Sequence, residues 1–276
     1  MNKVTIDDVR NLTLPKPDSH KGQNGRLLVI GGSKLFHAAS LWSLTVASRI
    51  VDLVHYCSID ENNEIVHELK IEFRNGIVVS RADVDEYIKE DDVILIGPGM
   101  TRDDETKMLT DKLLKKYPEK QWVIDAGALQ MMELSNIPKN AILTPHHQEF
   151  ALLIGKNKEL GIRNNGENQT AISVQEFAKE HDCILLLKGK EDVASNGKET
   201  KVIEGGNAGM TKGGTGDVLA GLIAALACTN DPWKATLAGS FINKKAGDDL
   251  FASVGPFFNA TDLANQIPKT MKAVYY

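Results

Sequence analysis

This chain predicts an α/β fold, a mostly parallel central sheet flanked by helices, and two observations carry that expectation. Short β-branched or leucine-rich runs alternate with longer amphipathic ones, the pattern of parallel strands joined by crossover helices. Small or polar residues follow each short run, as they do at the carboxyl edge of an open sheet, where ligands bind. The expected strands are Leu27–Ile30, Leu53–Cys57, Val93–Ile96, Trp122–Asp125, Ala141–Leu143 and Cys183–Leu187. Between them, Ala38–Val51, Asp104–Tyr117, His147–Ile154 and Val174–His181 space their apolar residues as helices do. After Gly189 the pattern changes. Asn196-Gly197 is a turn signal, so a hairpin at a sheet edge is expected around Val193–Lys198. Val218–Ala227 then reads as a buried helix, followed by helices over Trp233–Leu250 and Thr261–Tyr276.

A chain of 276 residues with 42% hydrophobic side chains sits near the upper size for one core and can fill it. Residues 1–276 are therefore expected to form a single domain, with no Pro/Ser-rich linker or internal repeat to divide them. The formal net charge of −5 comes from 32 basic and 37 acidic residues dispersed along the sequence. That dispersal lacks the basic patch that nucleic acid or an anionic membrane requires. No apolar run of spanning length escapes interruption by Gly or charge, and the first residues lack an apolar stretch behind Lys3, so a cytoplasmic protein is expected. Cys57, Cys183 and Cys228 are odd in number and embedded in apolar segments, which reads as reduced core residues.

The segment Asn207-Ala208-Gly209-Met210-Thr211-Lys212-Gly213-Gly214-Thr215-Gly216-Asp217 runs straight into the apolar helix. Without side chains at Gly213, Gly214 and Gly216 the backbone approaches a phosphate closely, and the N–H groups and positive dipole end of the helix point at it. A carboxylate beside an anion site is electrostatically awkward. Asp217 therefore reads as a base that takes a proton from a hydroxyl as that hydroxyl attacks phosphorus. Helix capping alone explains an Asp but not four glycines beside Thr211, Lys212 and Thr215. The spacing fits neither a Walker A loop nor the dinucleotide fingerprint, which wants Gly or Ala where Leu219 stands.

Further candidates follow successive strands: Gly31-Gly32-Ser33, Gly97-Pro98-Gly99, Asp125-Ala126-Gly127, Thr144-Pro145-His146 and Lys188-Gly189. Each alone signals a tight turn. Together they predict a bare-backbone rim opposite the phosphate loop, suited to a large flat ligand. His146 is the better of two adjacent histidines for touching substrate. Glu149, one turn on, suits either the water shell of Mg²⁺ or the positive end of a helix. Clustered Cys/His spacing for zinc is absent.

His20-Lys21-Gly22-x-x-Gly25-Arg26 leads to Val29-Ile30-Gly31-Gly32-Ser33, and Ile96-Gly97-Pro98-Gly99, Val123-Ile124-Asp125-Ala126, Leu143-Thr144-Pro145-His146-x-x-Glu149, Leu187-Lys188-Gly189 and the glycine loop follow. This ordered set, spanning most of the chain, resembles the ribokinase-like superfamily and, within it, the ADP- or ATP-dependent NAD(P)H-hydrate dehydratases. The resemblance implies a three-layer sandwich in which nucleotide and substrate meet at the glycine loop. It implies Asp217 as catalytic base and substrate contact. Ala39, Gly99 and His146 would line the hydrated dinucleotide (NADHX or NADPHX). Gly216 and Lys188, Gly189, Lys190, Glu191 and Asp192 would hold the adenine nucleotide, with Gly213, Gly214, Thr215 and Gly216 as phosphate loop. It further implies ADP as phosphoryl donor, Mg²⁺ near Glu149 through water, and a homotetramer. Two departures stand out: Leu35-Phe36-His37-Ala38-Ala39 replaces a Tyr-x-Gly-Ala run, and Gly127 replaces a frequent second acidic residue. The epimerase domain fused to many members is not in this sequence, so epimerisation is expected from another polypeptide.

The implied reaction phosphorylates the C6 hydroxyl of the hydrated ring, turning a poor leaving group into phosphate. The rival expectation is an ATP-dependent vitamin-precursor kinase of the same superfamily, which would release a stable phosphorylated product. A nucleotide sensor without chemistry is a third class, and the intact Asp217 weighs against it.

Overall fold

The computed structural model describes residues 2–69, 75–156 and 167–276. Among them lie strands β1 (Asn2–Lys3), β2 (Arg26–Ile30), β3 (Leu53–Cys57), β4 (Ile77–Val79), β5 (Val93–Ile96), β6 (Gln121–Ile124), β7 (Ile142–Leu143), β8 (Ile184–Leu187), β9 (Asp192–Ser195) and β10 (Thr200–Ile203). The helices are α1 (Ile6–Val9), α2 (His37–Ala47), α3 (Asp60–Leu69), α4 (Val84–Glu90), α5 (Asp104–Lys116), α6 (Ala126–Met131), α7 (His147–Lys156), α8 (Glu167–Glu180), α9 (Thr215–Ala227), α10 (Pro232–Val254) and α11 (Ala260–Tyr275).

The strands form one sheet in the order β1-β10-β9-β8-β7-β6-β5-β2-β3-β4. All neighbours are parallel except β9, which runs antiparallel to both β8 and β10. Strands in such a sheet are buried on both faces, and alternation along each one sorts its side chains between two cores. Leu27 and Val29 of β2 join the core beneath α2, α9, α10 and α11, while Leu28 and Ile30 join the core beneath α4 to α8. Val93/Leu95 against Ile94/Ile96 on β5, and Ile184/Leu186 against Leu185/Leu187 on β8, repeat the division. The three layers expected from the sequence are therefore present.

All six expected strands form, with ends shifted by a residue or so. The expected hairpin is β9 and β10, with Asn196 Oδ1 accepting from Lys198 N (3.0 Å) and Glu199 N (2.9 Å) at the turn. It is not at the edge, however: β1 adds outside it in parallel, pairing Lys3 with Val202. The helix expected over Val174–His181 begins earlier, at Glu167. Cys57 and Cys183 are buried free thiols, and burial pushes Cys57 up to about 11. Cys228 is a partly buried free thiol, also raised by burial. Among the described residues no helix is long and apolar enough to cross a membrane.

One buried histidine–carboxyl pair ties the sheet to the α4 layer. His55 of β3 places Nδ1 2.8 Å from both carboxylate oxygens of Asp91, which follows α4, and both residues are almost fully buried. Burial drives the Asp91 carboxyl up against the opposing pull of His55. Removing the imidazole strands a buried carboxylate, so His55→Ala should cost about 3–5 kcal/mol. Urea denaturation checks this; a loss under 1 kcal/mol would mean that the pair carries no such role.

Candidate active site

The glycine loop folds as a short 3-10 turn, Ala208–Thr211, followed by the first turn of α9. Asn207 caps the 3-10 turn by accepting from Gly209 N (2.9 Å). The Thr215 hydroxyl bridges back to Met210 O (2.7 Å) and Lys212 O (3.0 Å), closing the loop on itself. The first bond within α9 runs from Val218 N to Gly214 O (3.0 Å). The N–H groups of Gly216 and Asp217 precede it and so lack helical acceptors, which is the local chemistry of an anion site. Helix α9 is anchored to α2 by Ser43 Oγ, which donates to Asp217 O (2.8 Å).

Two cavities flank this helix start. One, of about 500 Å³, is lined by Lys188, Gly189, Lys190 and Asp192 on one side and by Thr215, Gly216 and Leu219 on the other. The second, of about 750 Å³, is lined by Phe36, Ala39, Gly99, Gly127, Glu149 and Asp217, among others, with Gly213 and Gly214. Consecutive residues of a single helical turn thus face different chambers, with Gly216 in one and Asp217 in the other.

Charge is concentrated where the chambers meet. Lys188 Nζ donates to Asp125 Oδ1 (2.9 Å), which also accepts from Thr144 Oγ1 (2.8 Å). Burial alone would lower Lys188, but Asp125, Glu149 and Asp217 reverse this and hold it above the ordinary lysine range. Asp217 is half-buried, and desolvation together with the negative charge of Asp125 raises its carboxyl to about 7, against the opposing pull of Lys188. A carboxylate that ionises near neutrality is matched to general-base work.

The sequence-derived candidates distribute unevenly. Ala39, Gly99, Glu149 and Asp217 meet in the larger cavity; Lys188, Gly189, Lys190, Asp192, Thr215 and Gly216 meet in the smaller one. Glu191 is exposed and lies outside both linings. So does His146, whose Nδ1 accepts from Gln148 N and Glu149 N (both 3.2 Å) while Glu149 Oε2 accepts from His146 N (2.9 Å). This is a capping box with histidine in the usual Ser/Thr position. Glu149 Oε1 accepts from Gln130 Nε2 (2.8 Å), so both carboxylate oxygens are already bonded. Of the expected bare rim, Gly31 and Gly97 do not line the large cavity. A Cβ on them would meet Pro98 O at 2.4 Å and Asp125 O at 1.8 Å, so they make loop-to-loop contacts instead.

Sequence reasoning missed Lys244. Its buried ammonium pairs with Asp192 Oδ1 (3.1 Å) and donates to Gly189 O (3.1 Å), Lys190 O (3.0 Å) and Gly205 O (3.2 Å). Asp192 also accepts from Gly189 N (2.9 Å) and Ser240 Oγ (2.8 Å), so its carboxylate shapes the wall. The available signal was Asn243-Lys244, a polar pair inside an otherwise small and apolar helix face. Among the described residues no cluster of three or more His, Cys, Asp or Glu is arranged to hold a metal.

Comparison with known proteins accords with this geometry. The chain is 37% identical over 273 residues to the bifunctional NAD(P)H-hydrate repair enzyme of Methanocaldococcus jannaschii, covering 96% of this chain and 52% of that one. It thus spans about half the length of the first curated relatives it matches. It is 34% identical over 273 residues to the ADP-dependent (S)-NAD(P)H-hydrate dehydratase of Nitrosopumilus maritimus, covering 93% of this chain and 92% of that one. In fold it superposes on an ADP/ATP-dependent NAD(P)H-hydrate dehydratase from Bacillus subtilis co-crystallised with ATP/Mg²⁺. The TM-score is 0.81 at 24% identity, over 99% of this chain and 98% of that one. A family model described as NAD(P)H-hydrate dehydratase matches residues 27–269, and the chain belongs to that family.

Proposed function

We propose that this chain dehydrates the S-epimer of hydrated NADH or NADPH at the expense of ADP, yielding NAD(P)H, AMP and phosphate. The observation that carries the reading is the placement of Gly216 and Asp217, adjacent on one helical turn, in two separate chambers. The smaller chamber takes ADP, its phosphates directed to Lys188 and the α9 N–H groups. The larger one takes the hydrated dinucleotide. Asp217 removes the proton from the C6 hydroxyl as its oxygen bonds to the terminal phosphorus and AMP leaves. The N–H groups of Gly216 and Asp217, which have no helical acceptor, stabilise charge on the transferred group. The ring-nitrogen lone pair then expels phosphate from C6, and loss of a proton from C5 restores the double bond.

Mg²⁺ usually retains water and binds through one or two carboxylates plus substrate phosphates. The buried Asp125 and Glu149, both of which act electrostatically on Lys188, fit that outer role, and the ion would neutralise phosphate charge. On the family resemblance, the reading extends to a cytoplasmic homotetramer. The test is absorbance recovery from chemically prepared NADHX with Mg²⁺ and ADP, ATP or no nucleotide. ADP-dependent return of NADH absorbance with equimolar AMP is expected. A stable phosphorylated product without NADH would replace this reading with a small-molecule kinase.

A further inference from the structure

Two stretches of the smaller chamber's wall, the 188–192 loop and the turn through Gly205, Gly206 and Asn207, are tied to one face of α10. Positions 240, 244, 247 and 248 share that face by helical spacing. Ser240 Oγ donates to Asp192 Oδ2 (2.8 Å), while Asp248 accepts from Gly206 N and Asn207 Nδ2 (both 3.0 Å). Lys244 reaches both stretches. Its Nζ meets Gly189 O (3.1 Å), Lys190 O (3.0 Å) and Asp192 Oδ1 (3.1 Å) on one and Gly205 O (3.2 Å) on the other. Its stem lies against the turn, where a Cβ added to Gly206 would come within 3.4 Å of Lys244 Cγ. A lysine in a nucleotide chamber is ordinarily a phosphate ligand. An ammonium has only three protons, however, and here four acceptors already compete for them, so none remains for a phosphate.

From this we infer that Lys244 is a positioning residue of the nucleotide chamber: it donates no bond to ADP and instead holds the two stretches of wall at a fixed separation through their carbonyl oxygens. The inference rests on the proposed placement of ADP in that chamber. A trans peptide points its N–H opposite to its C=O. Drawing Gly189 O and Lys190 O to the ammonium therefore also fixes which way the N–H groups of Lys190 and Glu191 point. Asp192 completes the clamp, because its carboxylate neutralises the buried ammonium and accepts from Gly189 N (2.9 Å) at the start of the same loop. Both partners are nearly inaccessible, at 6% exposure for Lys244 and 4% for Asp192, so water cannot replace either.

The experiment measures dissociation constants of ADP and of AMP, the nucleotide product, by calorimetry, together with KM for NADHX at saturating ADP. The proteins are the wild type, Lys244→Met, Lys244→Met combined with Asp192→Asn, and Gly216→Val. Methionine keeps much of the stem's bulk but strands the Asp192 carboxylate; the combined variant removes that charge as well and gives the same reading if the single one does not fold. Both Lys244 variants should weaken ADP and AMP by a common factor of about tenfold, the worth of about one misdirected hydrogen bond. KM for NADHX, which enters the other chamber, should stay within about twofold of wild type. A lysine bonded to the phosphates would penalise ADP more than AMP, because the charge it neutralises is greater, and that pattern overturns the positioning role. Unchanged ADP affinity overturns it too, as does an equal rise in KM for NADHX, which marks a general loss of structure. Absence of ADP binding to the wild type, or binding indifferent to Gly216→Val, overturns the chamber assignment and the inference with it.

Discussion

Asp217→Asn should lower turnover by about a thousandfold or more, within or beyond the usual contribution of a positioned general base, while leaving the fold intact. Asparagine keeps the shape of the side chain and loses only the lone pair that accepts the proton. The pH dependence sharpens the expectation. Burial and Asp125 place the Asp217 carboxyl at about 7, so the wild-type rate should rise as pH passes upward through about 7 and level off above it. Asp125→Asn removes a negative neighbour and should move that rise to lower pH; Lys188→Met removes a positive one and should move it higher. The stability sign is the reverse of activity. A carboxyl raised in the folded state binds more protons folded than unfolded between its ordinary value and about 7, so its contribution weakens as pH climbs through that window. Asp217→Asn removes the penalty and should melt no lower than wild type at pH 8. Rate profiles and melting curves from pH 5 to 9 check both; retention of substantial turnover by Asp217→Asn would remove it from the base role.

Most of the sheet was legible because its strands announce themselves twice, by β-branched or leucine-rich composition and by the turn residues that close them. Asp217 and the glycine loop were legible for a related reason: an anion site made of backbone needs glycines in sequence, so its whole chemistry is local. What escaped was set by pairing at a distance. Asn2–Lys3 has no strand signal of its own, and its extended state comes from β10. Ile77–Val79 is a short edge strand paired only to β3. Ala126–Met131 follows a residue read as a turn, yet continues into a helix. The His146–Glu149 capping box went unseen because histidine replaces the hydroxyl residue that marks such boxes. Lys244 is far in sequence from every motif it serves, and only the packing of α10 against the 188–192 loop shows what it touches.

Gly213 and Gly214 are indistinguishable in the sequence, and substituting each by alanine should separate them sharply. Gly214 caps α9 at φ 96°, in the left-handed region that alanine adopts only with strain. A Cβ there would lie 2.3 Å from Trp42 Cζ3 and 2.7 Å from Ala260 Cβ. The Trp42 ring cannot simply turn aside, because its Nε1 donates to Thr261 Oγ1 (3.1 Å). Backbone strain and overpacking each cost about 1–3 kcal/mol, so Gly214→Ala should lose about 2–6 kcal/mol of stability. Relief of the clash requires the loop to lift from α2, which carries the Gly216 and Asp217 N–H groups away from the phosphate. A displacement near 1 Å at a reacting centre costs about a hundredfold in rate. At Gly213 a Cβ meets nothing within 4 Å, and Gly213→Ala should stay within about 0.5 kcal/mol of wild type. Parallel denaturation and steady-state kinetics of the two variants give the comparison. Equal behaviour would mean that the glycine loop is soft enough to absorb a methyl group anywhere, and that backbone geometry at the start of α9 does not set the phosphate site.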